Sequence, residues 1–244
     1  MGKSKIAAIR KDYVNGRLEV IDLLSNPVEQ FRIWFNDAVN AGIDEPTAMF
    51  LATTGVDLQP SARIVLLKGF DEEGFDFYSN YQSRKGLQME ENPKVAATFF
   101  WKELERQVRI EGLVKKLPDA ESDEYFKSRP AESRYSAAAS PQSQVIPDRR
   151  FLENKIAGLK AEFNENELER PANWGGYKLK PHRIEFWQGR QSRLHDRLVY
   201  TISDGKWIIE RLAPSISWVA QTRVPIPSRH RNSDIFKIIF WILL

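Results

Sequence analysis

Short runs of strand-forming residues dominate the sequence and most constrain its fold. They lie at residues 48–54, 62–68, 75–79, 95–101 and 107–115, and again at 177–180, 183–187, 197–202 and 207–211. The breaks at 57–60 and 71–74 are too short for the helix that must connect parallel strands. We therefore expect antiparallel neighbours that form one β-barrel or sandwich.

Helices flank this β-rich pattern and interrupt it. Asn26 can cap a helix over 27–41, since Pro27 suits its first turn, Glu29 has capping-box spacing and Gly42 follows its end. Its predicted buried stripe is Val28, Phe31, Phe35 and Ala38. The interruption at 118–169 is predicted to be helical, with one helix between Asp119 and Arg129 and another lined by Leu152, Ile156, Leu159 and Phe163.

The domain organisation follows from these elements. We expect a flexible segment at 1–25, one mainly β (α+β) domain at 26–214 that includes the helical insertion 118–169, and an atypical tail at 215–244. Residues 235–244 are apolar except Lys237, too few to span a bilayer, so this end is a spurious extension, a membrane-surface anchor or an aggregation-prone segment.

Composition excludes several classes of function. The absence of cysteine rules out disulfides, thiolate metal sites and a cysteine nucleophile, and we predict no metal site. The start is basic without an apolar core, and no run of about 18 apolar residues occurs, so we expect a cytoplasmic protein without a transmembrane segment. The net charge of +3 equals that of the tail alone, which argues against nucleic-acid binding by the body.

One short helix carries charges opposite to those its dipole favours. Ser83 is a candidate N-cap, Arg84 and Lys85 occupy the first turn, and Glu90 and Glu91 occupy the last, before Pro93. An anion bound at the helix N-terminus would compensate, which predicts a phosphate site. The alternative is a pair of solvated surface cations.

Two further groups of polar residues are compatible with phosphate binding. Arg63 and Lys68 stand at the ends of one apolar strand, where regular geometry would point them to opposite faces. Tyr125 and Arg129 are four residues apart on a predicted helix, with Ser133 just beyond, which suits a second phosphate. Alternatively, Arg63 and Lys68 only extend their charged groups into solvent at the ends of the strand. The second group would then belong to an ordinary helix surface.

Arg193, His195 and Arg197 alternate with Leu194 and Asp196. In a strand, period-two alternation would place all three on one face, where they require an anion, acidic neighbours or water. Because the chain lacks a phosphate-binding loop with Walker or Rossmann glycine spacing, the groups together predict two phosphorylated small molecules, one of them a cofactor.

Eight stretches in order carry a specific resemblance. They are PSARIVLLKGF at 60–70, SRKG at 83–86, ERQVRIEG at 105–112, YFKSRP at 125–130, WGGY at 174–177, EFWQG at 185–189, RLHDR at 193–197 and ERLAP at 210–214. They resemble the motifs of the pyridoxamine (pyridoxine) 5′-phosphate oxidase family from about residue 13 to 214. The sequence departs from the family pattern at Arg134-Tyr135-Ser136 and in the tail.

The resemblance implies an FMN-binding split β-barrel of antiparallel Greek-key type, a homodimer with FMN at its interface, and oxidation of pyridoxamine or pyridoxine 5′-phosphate by O₂ to pyridoxal 5′-phosphate. It implies FMN contacts from Arg63, Ile64, Val65, Leu66, Leu67, Lys68, Tyr78, Ser79, Arg84, Lys85, Gln107, Gln142, Ser143, Trp187 and Arg197. It implies substrate contacts from Lys68, Tyr125, Arg129, Ser133, Arg193, Leu194 and His195, with Arg193 and His195 as catalytic residues over the pyridine ring. The alternative is a non-catalytic split-barrel carrier or sensor of flavin or pyridoxal phosphate; a third hypothesis makes the tail a membrane or nucleic-acid binder.

Overall fold

The structure is a computed structural model that describes Tyr13 and residues 16–164 and 167–214. The strands within these residues are β1 Ala48–Thr54, β2 Pro60–Leu66, β3 Gly69–Asp71, β4 Gly74–Asn80, β5 Lys94–Trp101, β6 Arg106–Lys116, β7 Trp174–Gln188, β8 Asp196–Ser203 and β9 Lys206–Arg211. The helices are α1 Pro27–Asn40, α2 Arg84–Glu91, α3 Asp119–Ser128, α4 Ala131–Ala139 and α5 Arg149–Glu162. The short strand β3 was not predicted from the sequence.

The strands form one antiparallel sheet that curls on itself. Its order is β2-β1-β5-β6-β7-β4-β3, and β8 and β9 extend it from β7. The backbone N–H of Lys68, just after β2, donates to the carbonyl of Asp76 in β4 at 2.8 Å. The chain thus leads from β2 at one end of the strand order through Lys68 directly to β3 and its partner β4 at the other end, and this closure confirms the predicted antiparallel barrel with inserted and flanking helices.

The long strand β7 joins the two halves of the sheet. It pairs with β4 over its first half, with β8 over its second half and with β6 along most of its length. The prediction of two separate strands at 177–180 and 183–187 is wrong. The register with β6 shifts instead where Gly112 faces Pro181, and a bulge of this kind bends a strand without ending it.

Helix α1 supplies much of the hydrophobic core. The Asn26 side chain accepts hydrogen bonds at the start of the helix, as predicted. Phe31 is fully buried and packs edge-on against Phe75, with 4.9 Å between ring centroids. Such aromatic pairs add about 0.5–1.5 kcal/mol beyond the area they bury. Of the predicted stripe, Val28, Phe31 and Ala38 are buried and Phe35 is half-buried.

The helical insertion contains α3, α4 and α5. Helix α3 begins at Asp119 as predicted, and Arg129 follows its last residue. On α5, the predicted apolar residues Leu152, Ile156, Leu159 and Phe163 are half-buried. The Tyr135 hydroxyl of α4 donates to the Phe163 carbonyl at 2.8 Å, which ties α4 to the end of α5.

The described part of the N-terminal segment packs against the sheet. Leu18 is buried, and its N–H donates to Asp196 Oδ2 at 3.0 Å. The Tyr200 hydroxyl donates to the Leu24 carbonyl at 2.6 Å. Residues 16–25, which we expected to be flexible, thus include direct contacts with β8. Residues 1–12 and 14–15 of that segment, and the predicted tail 215–244, lie outside the described residues.

Among the described residues, no helix is both long and apolar enough to cross a membrane. In the same part of the chain, no group of three histidine or acidic side chains is arranged to hold a metal ion.

Candidate active site

Three basic side chains meet near the start of α2. They are Arg63 from β2 and Arg84 and Lys85 from the first helical turn, and we call them the basic cluster. Burial first, and then the charge of Arg84, lowers the pKa of Arg63. Burial, and then the charge of Arg63, lowers the pKa of Lys85 to about 8. In the described part of the chain none of the three makes an ion pair with a carboxylate, so the cluster is suited to binding an anion.

The local structure of α2 fixes Lys85 in this position. Ser83 caps the helix as predicted, its Oγ accepting from the Gly86 N–H at 3.3 Å. Lys85 Nζ donates to Ser83 Oγ at 3.2 Å and to Gln142 Oε1 at 3.1 Å. A Cβ on Gly86 would lie 2.2 Å from the Tyr81 carbonyl oxygen, so only glycine lets the helix start pack this closely.

Arg63 is held by β2 and its neighbour β1. Its Nη1 donates to the Leu51 carbonyl at 3.0 Å and to Thr53 Oγ1 at 2.7 Å, and its Nη2 donates to Ser61 Oγ at 2.5 Å. The predicted strand 62–68 ends early, at Leu66, so Lys68 does not share a strand with Arg63.

The remaining residues of this stretch differ in exposure. Lys68 and Ile64 are exposed, Val65 and Leu66 are half-buried and Leu67 is buried.

Gln142 connects the basic cluster to β4 and to a neighbouring cleft. Its Oε1 also accepts from the buried Ser79 hydroxyl at 3.4 Å. The next residue, Ser143, has a positive φ of 72°, the left-handed conformation of a tight turn. A cleft of about 400 Å³ lies beside Gln142 and is lined also by Arg129 and Ser133.

Arg129 lines this cleft and carries a buried donor. Its guanidinium lies over the Trp174 ring, 4.7 Å from the centroid. Its Nη1 is buried and has no hydrogen-bond partner among the described residues. Burial lowers the pKa of Arg129, and Tyr125 partly opposes the shift. A buried guanidinium with an unused donor is suited to a phosphate or carboxylate.

Tyr125 contributes to the wall behind Arg129 rather than to the cleft lining. Its ring stacks on Tyr78 with 3.8 Å between centroids. Burial raises the pKa of Tyr125, although Arg129 acts in the opposite direction. Burial, and then Asp76, raises the pKa of Tyr78 to about 12. The predicted group of Tyr125, Arg129 and Ser133 is thus assembled, but only Arg129 and Ser133 line the cleft.

The predicted strand alternation of Arg193, His195 and Arg197 is wrong. Residues 191–193 form a 3-10 turn, Arg193 has a positive φ of 61°, and β8 begins only at Asp196. Leu194 is 59% exposed. A left-handed residue breaks the period of two, so Arg193 and His195 do not share a strand face with Arg197.

His195 lies instead in an aromatic corner. Its ring centroid is 4.8 Å from that of Trp187 and 5.5 Å from that of Tyr13. Its Nδ1 accepts the Arg190 N–H at 3.1 Å, so in the neutral ring the proton is on Nε2. Burial, and then Arg193, lowers the pKa of His195, which keeps it neutral at pH 7.

Gln107, Trp187 and Arg197 form a row across three strands. Gln107 faces Trp187 in the β6–β7 ladder, and Trp187 faces Arg197 in the β7–β8 ladder. Directly opposed residues project from the same face of a sheet, so these three predicted cofactor contacts are neighbours.

Arg197 belongs to a second group of arginines, which do have acidic partners. It pairs with both oxygens of the buried Glu185, at 2.7 Å and 3.1 Å. Arg109 lies 3.5 Å from Glu185, and Arg183 lies 2.8 Å from Glu111. We call these five residues the paired cluster.

Sequence reasoning missed several residues around the site. Glu185 and Trp174 belong to the matched stretches EFWQG and WGGY, yet neither received a role. Tyr13 lies next to His195 and Trp187. The departure Arg134-Tyr135-Ser136 lies within α4, and Ser136 lines the cleft. No local signal marked Arg170, which contacts Trp174.

Comparisons with known proteins agree with this geometry. Residues 35–162 match the family described as pyridoxamine 5′-phosphate oxidase, and residues 174–214 match the pyridoxine 5′-phosphate oxidase C-terminal dimerisation region. The chain is 54% identical over 212 residues to a pyridoxine/pyridoxamine 5′-phosphate oxidase of Cupriavidus pinatubonensis, covering 86% of this chain and 100% of the relative. It is 53% identical over 214 residues to the protein of the same name from Salinibacter ruber, covering 86% of this chain and 100% of the relative.

Solved structures extend the comparison to the fold. PhzG from Burkholderia lata, solved with tetrahydrophenazine-1-carboxylic acid, has a TM-score of 0.76 and 31% identity, covering 82% of this chain and 100% of that chain. A pyridoxamine 5′-phosphate oxidase-related, FMN-binding protein from Nostoc punctiforme has a TM-score of 0.63 at 16% identity, covering 79% and 100%, which supports the fold alone. The resemblance stated from the motifs is confirmed, and the chain belongs to the pyridoxamine 5′-phosphate oxidase family.

Proposed function

We propose that this chain oxidises pyridoxamine 5′-phosphate and pyridoxine 5′-phosphate to pyridoxal 5′-phosphate, using FMN as cofactor and O₂ as electron acceptor. The observation that carries the proposal is the pair of anion sites that meet at Gln142. One is the basic cluster, and the other is the cleft lined by Arg129, whose buried Nη1 has no hydrogen-bond partner among the described residues. A phosphorylated cofactor and a phosphorylated substrate match these two sites, and the curated relatives bear the name of this activity.

The residues present fit FMN. The basic cluster has three cations without a carboxylate partner in the described chain, which suits a phosphate group. In this proposal Arg63, Arg84 and Lys85 hold the phosphate, and the strand from Arg63 to Lys68 lies along the cofactor. The remaining contacts come from Tyr78, Ser79, Gln107, Gln142, Ser143, Trp187 and Arg197.

The substrate phosphate is assigned to the cleft. Arg129 and Ser133 line it, and Tyr125 holds the aromatic wall behind Arg129. Lys68, which is exposed beyond the end of β2, is the remaining proposed contact.

The protein contributes binding and alignment to the reaction. When bound, FMN would supply hydride acceptance from the C4′ carbon of the substrate and transfer of the electrons to O₂, giving H₂O₂. Water would then hydrolyse the imine formed from the amine substrate to the aldehyde and ammonia. Neutral His195 offers its Nε2–H as a hydrogen-bond donor, and Arg193 offers a fixed positive charge; together they orient the pyridine ring. Alignment of this kind accounts for a large share of rate in such reactions.

The chain forms a homodimer through the region that includes β7, β8 and β9. The exposed apolar residues Phe50 and Ile64, which face each other in the β1–β2 ladder, are 53% and 58% exposed in one copy. They give a second copy an apolar surface to cover. In this proposal FMN also lies at the interface between the two copies, and the enzyme is in the cytoplasm.

The decisive experiment records the flavin spectrum of the purified protein and measures H₂O₂ on addition of pyridoxamine 5′-phosphate. An oxidase gives peroxide in proportion to product, whereas a carrier or sensor binds ligand without turnover. Bound flavin with no peroxide and no flavin reduction under anaerobic conditions would exclude the oxidase.

The same assay tests the two residues assigned to alignment. Arg193→Ala and His195→Ala should slow anaerobic flavin reduction by up to about a hundredfold, while FMN affinity stays unchanged. Wild-type reduction rates at saturating substrate in both variants would remove Arg193 and His195 from the catalytic site.

A further inference from the structure

Arg170 lies outside the site residues described so far, in the connection between α5 and β7. Its side chain is only 8% exposed and makes three short hydrogen bonds. Nε donates to Asp123 at 2.6 Å, Nη2 donates to Asp119 at 2.7 Å, and Nη1 donates to the Trp174 carbonyl at 2.6 Å. One guanidinium therefore joins the N-terminal half of α3 to the first residue of β7.

The two elements that Arg170 joins hold Arg129 and Trp174, two of the residues that line the cleft. Helix α3 bears Asp119 and Asp123 near its start and is followed directly by Arg129. Strand β7 begins with Trp174, whose ring lies under the Arg129 guanidinium at 4.7 Å. A shift of Trp174 relative to α3 would therefore move the surface on which Arg129 rests.

The aromatic packing around Trp174 transmits this constraint. The Trp174 and Tyr125 rings are nearly parallel, at 6° and 6.2 Å between centroids. Phe126 meets Trp174 edge-on at 5.4 Å. Ring stacking restrains the tilt of the Trp174 ring more than its sliding. The directed hydrogen bond from Arg170 to the Trp174 carbonyl instead fixes the position of Trp174 along β7.

We propose that Arg170 is a positioning residue for substrate phosphate: it locks Trp174 against α3 and so holds the Arg129 guanidinium in place at the wall of the cleft. This inference rests on the proposed function for the identity of the phosphorylated ligand. Arg170 acts through Arg129 and does not itself line the cleft.

Steady-state kinetics of Arg170→Ala tests the inference. The KM for pyridoxamine 5′-phosphate should rise about tenfold, a change of about 1.4 kcal/mol. The kcat and the FMN dissociation constant should stay within about twofold of the wild-type values. Arg170→Lys keeps the charge but cannot bridge three acceptors, so its KM should be intermediate.

Arg32→Ala is the matched control. Arg32 likewise pairs with a carboxylate, Glu29, and stacks on a ring, Phe70, at 4.7 Å, but it lies on α1, away from the cleft. Its removal should lower thermal stability without changing the KM. A KM rise in Arg32→Ala equal to that in Arg170→Ala would overturn the positioning role.

A binding measurement separates this inference from the proposed function. Calorimetric titration of the FMN-saturated protein with inorganic phosphate needs no turnover, and phosphate affinity should fall about tenfold in Arg170→Ala. If the wild-type protein fails to oxidise substrate but Arg170→Ala still binds phosphate about tenfold more weakly than the wild-type protein, the proposed function fails and the positioning role stands.

Two outcomes would overturn the positioning role of Arg170. The first is a wild-type KM and a wild-type phosphate affinity in folded Arg170→Ala. The second is a parallel loss of FMN affinity, which indicates general unfolding. Where Arg170→Ala does not fold, Arg170→Lys and Asp123→Asn decide by the same criteria, because each leaves part of the hydrogen-bond set in place.

Discussion

The basic cluster and the paired cluster each bring three cationic side chains together, but they differ in their counter-charges. In the paired cluster, the buried Glu185 accepts two hydrogen bonds from Arg197, and Glu111 pairs with Arg183. In the basic cluster, Arg63 and Lys85 have only neutral hydrogen-bond partners, and Arg84 pairs with no carboxylate among the described residues. The three cations without an acidic partner are therefore the better candidates for a phosphate site, whereas Arg197, the proposed FMN contact within the paired cluster, is held in place by Glu185.

The same contrast separates two arginines near α3. Arg170 has both acidic partners and a carbonyl, whereas Arg129 keeps a buried donor without a partner among the described residues. An unsatisfied buried donor costs about 1–3 kcal/mol, so its retention favours a role in binding. An arginine whose donors are paired, such as Arg170, instead holds neighbouring elements in place.

Charge reversal in the basic cluster gives the largest expected effect. Arg84→Glu combined with Lys85→Glu should weaken FMN binding at least about a hundredfold, because each charge-assisted hydrogen bond contributes about 1.5–3 kcal/mol. Equilibrium titration of the FMN-free protein, followed by flavin fluorescence, measures this.

Arg149→Glu combined with Arg150→Glu is the control, since these arginines occupy the first turn of α5 in the same way but are exposed. Equal losses of FMN affinity in both double variants would show that the basic cluster is only a generally attractive charge.

Removal of Arg129 should affect substrate and spare the cofactor. Arg129→Ala deletes the buried donor of the cleft, so the KM for pyridoxamine 5′-phosphate should rise about ten- to a hundredfold. FMN affinity should be unchanged, because Arg129 is not part of the basic cluster. Loss of FMN with a normal KM would mean that the two phosphate sites are exchanged.

The pH dependence of FMN binding tests the state of Lys85. Burial and Arg63 lower its pKa to about 8 in the free protein, and a phosphate dianion favours the protonated form. The FMN dissociation constant should therefore rise as pH increases through about 8, by about tenfold between pH 7 and pH 9. The phosphate of FMN is already a dianion above about pH 7, so it does not contribute to this change.

Lys85→Arg serves as the control because an arginine stays charged in this range. A flat profile in the wild-type protein would contradict the assignment of Lys85. The FMN-free protein should show the opposite trend: the lowered pKa of Lys85 penalises the folded state at low pH, so stability rises between about pH 8 and pH 10.5.

The paired cluster should show the smallest effect. Arg183→Ala removes a partly exposed ion pair with Glu111, which should lower the free energy of unfolding by about 1 kcal/mol or less. FMN affinity should stay within about twofold, because Arg183 is paired with Glu111 and is not among the proposed FMN contacts. Chemical denaturation and FMN titration of the same variant measure the two quantities. A tenfold loss of FMN affinity would erase the distinction between the clusters.

The sequence by itself determined the local elements of this protein. Strand β1 is found at the predicted residues, Asn26 caps α1, and Ser83 begins α2 with Arg84 and Lys85 in its first turn. These features depend on side chains within a few residues of one another, so alternation, capping and turn chemistry suffice to predict them. The eight ordered stretches then identified the family, which the comparisons confirmed.

Only the tertiary structure decided which charges are neutralised and which side chains meet. The pairing of Arg197 with Glu185 follows from the register of β7 and β8, and the contact of Arg170 with Asp119 joins residues 51 positions apart. Similarly, the positive φ of Arg193 removed it and His195 from the predicted strand face. These outcomes depend on how distant segments are packed, and a neighbour's charge changes the role of an arginine without leaving any trace in the local pattern.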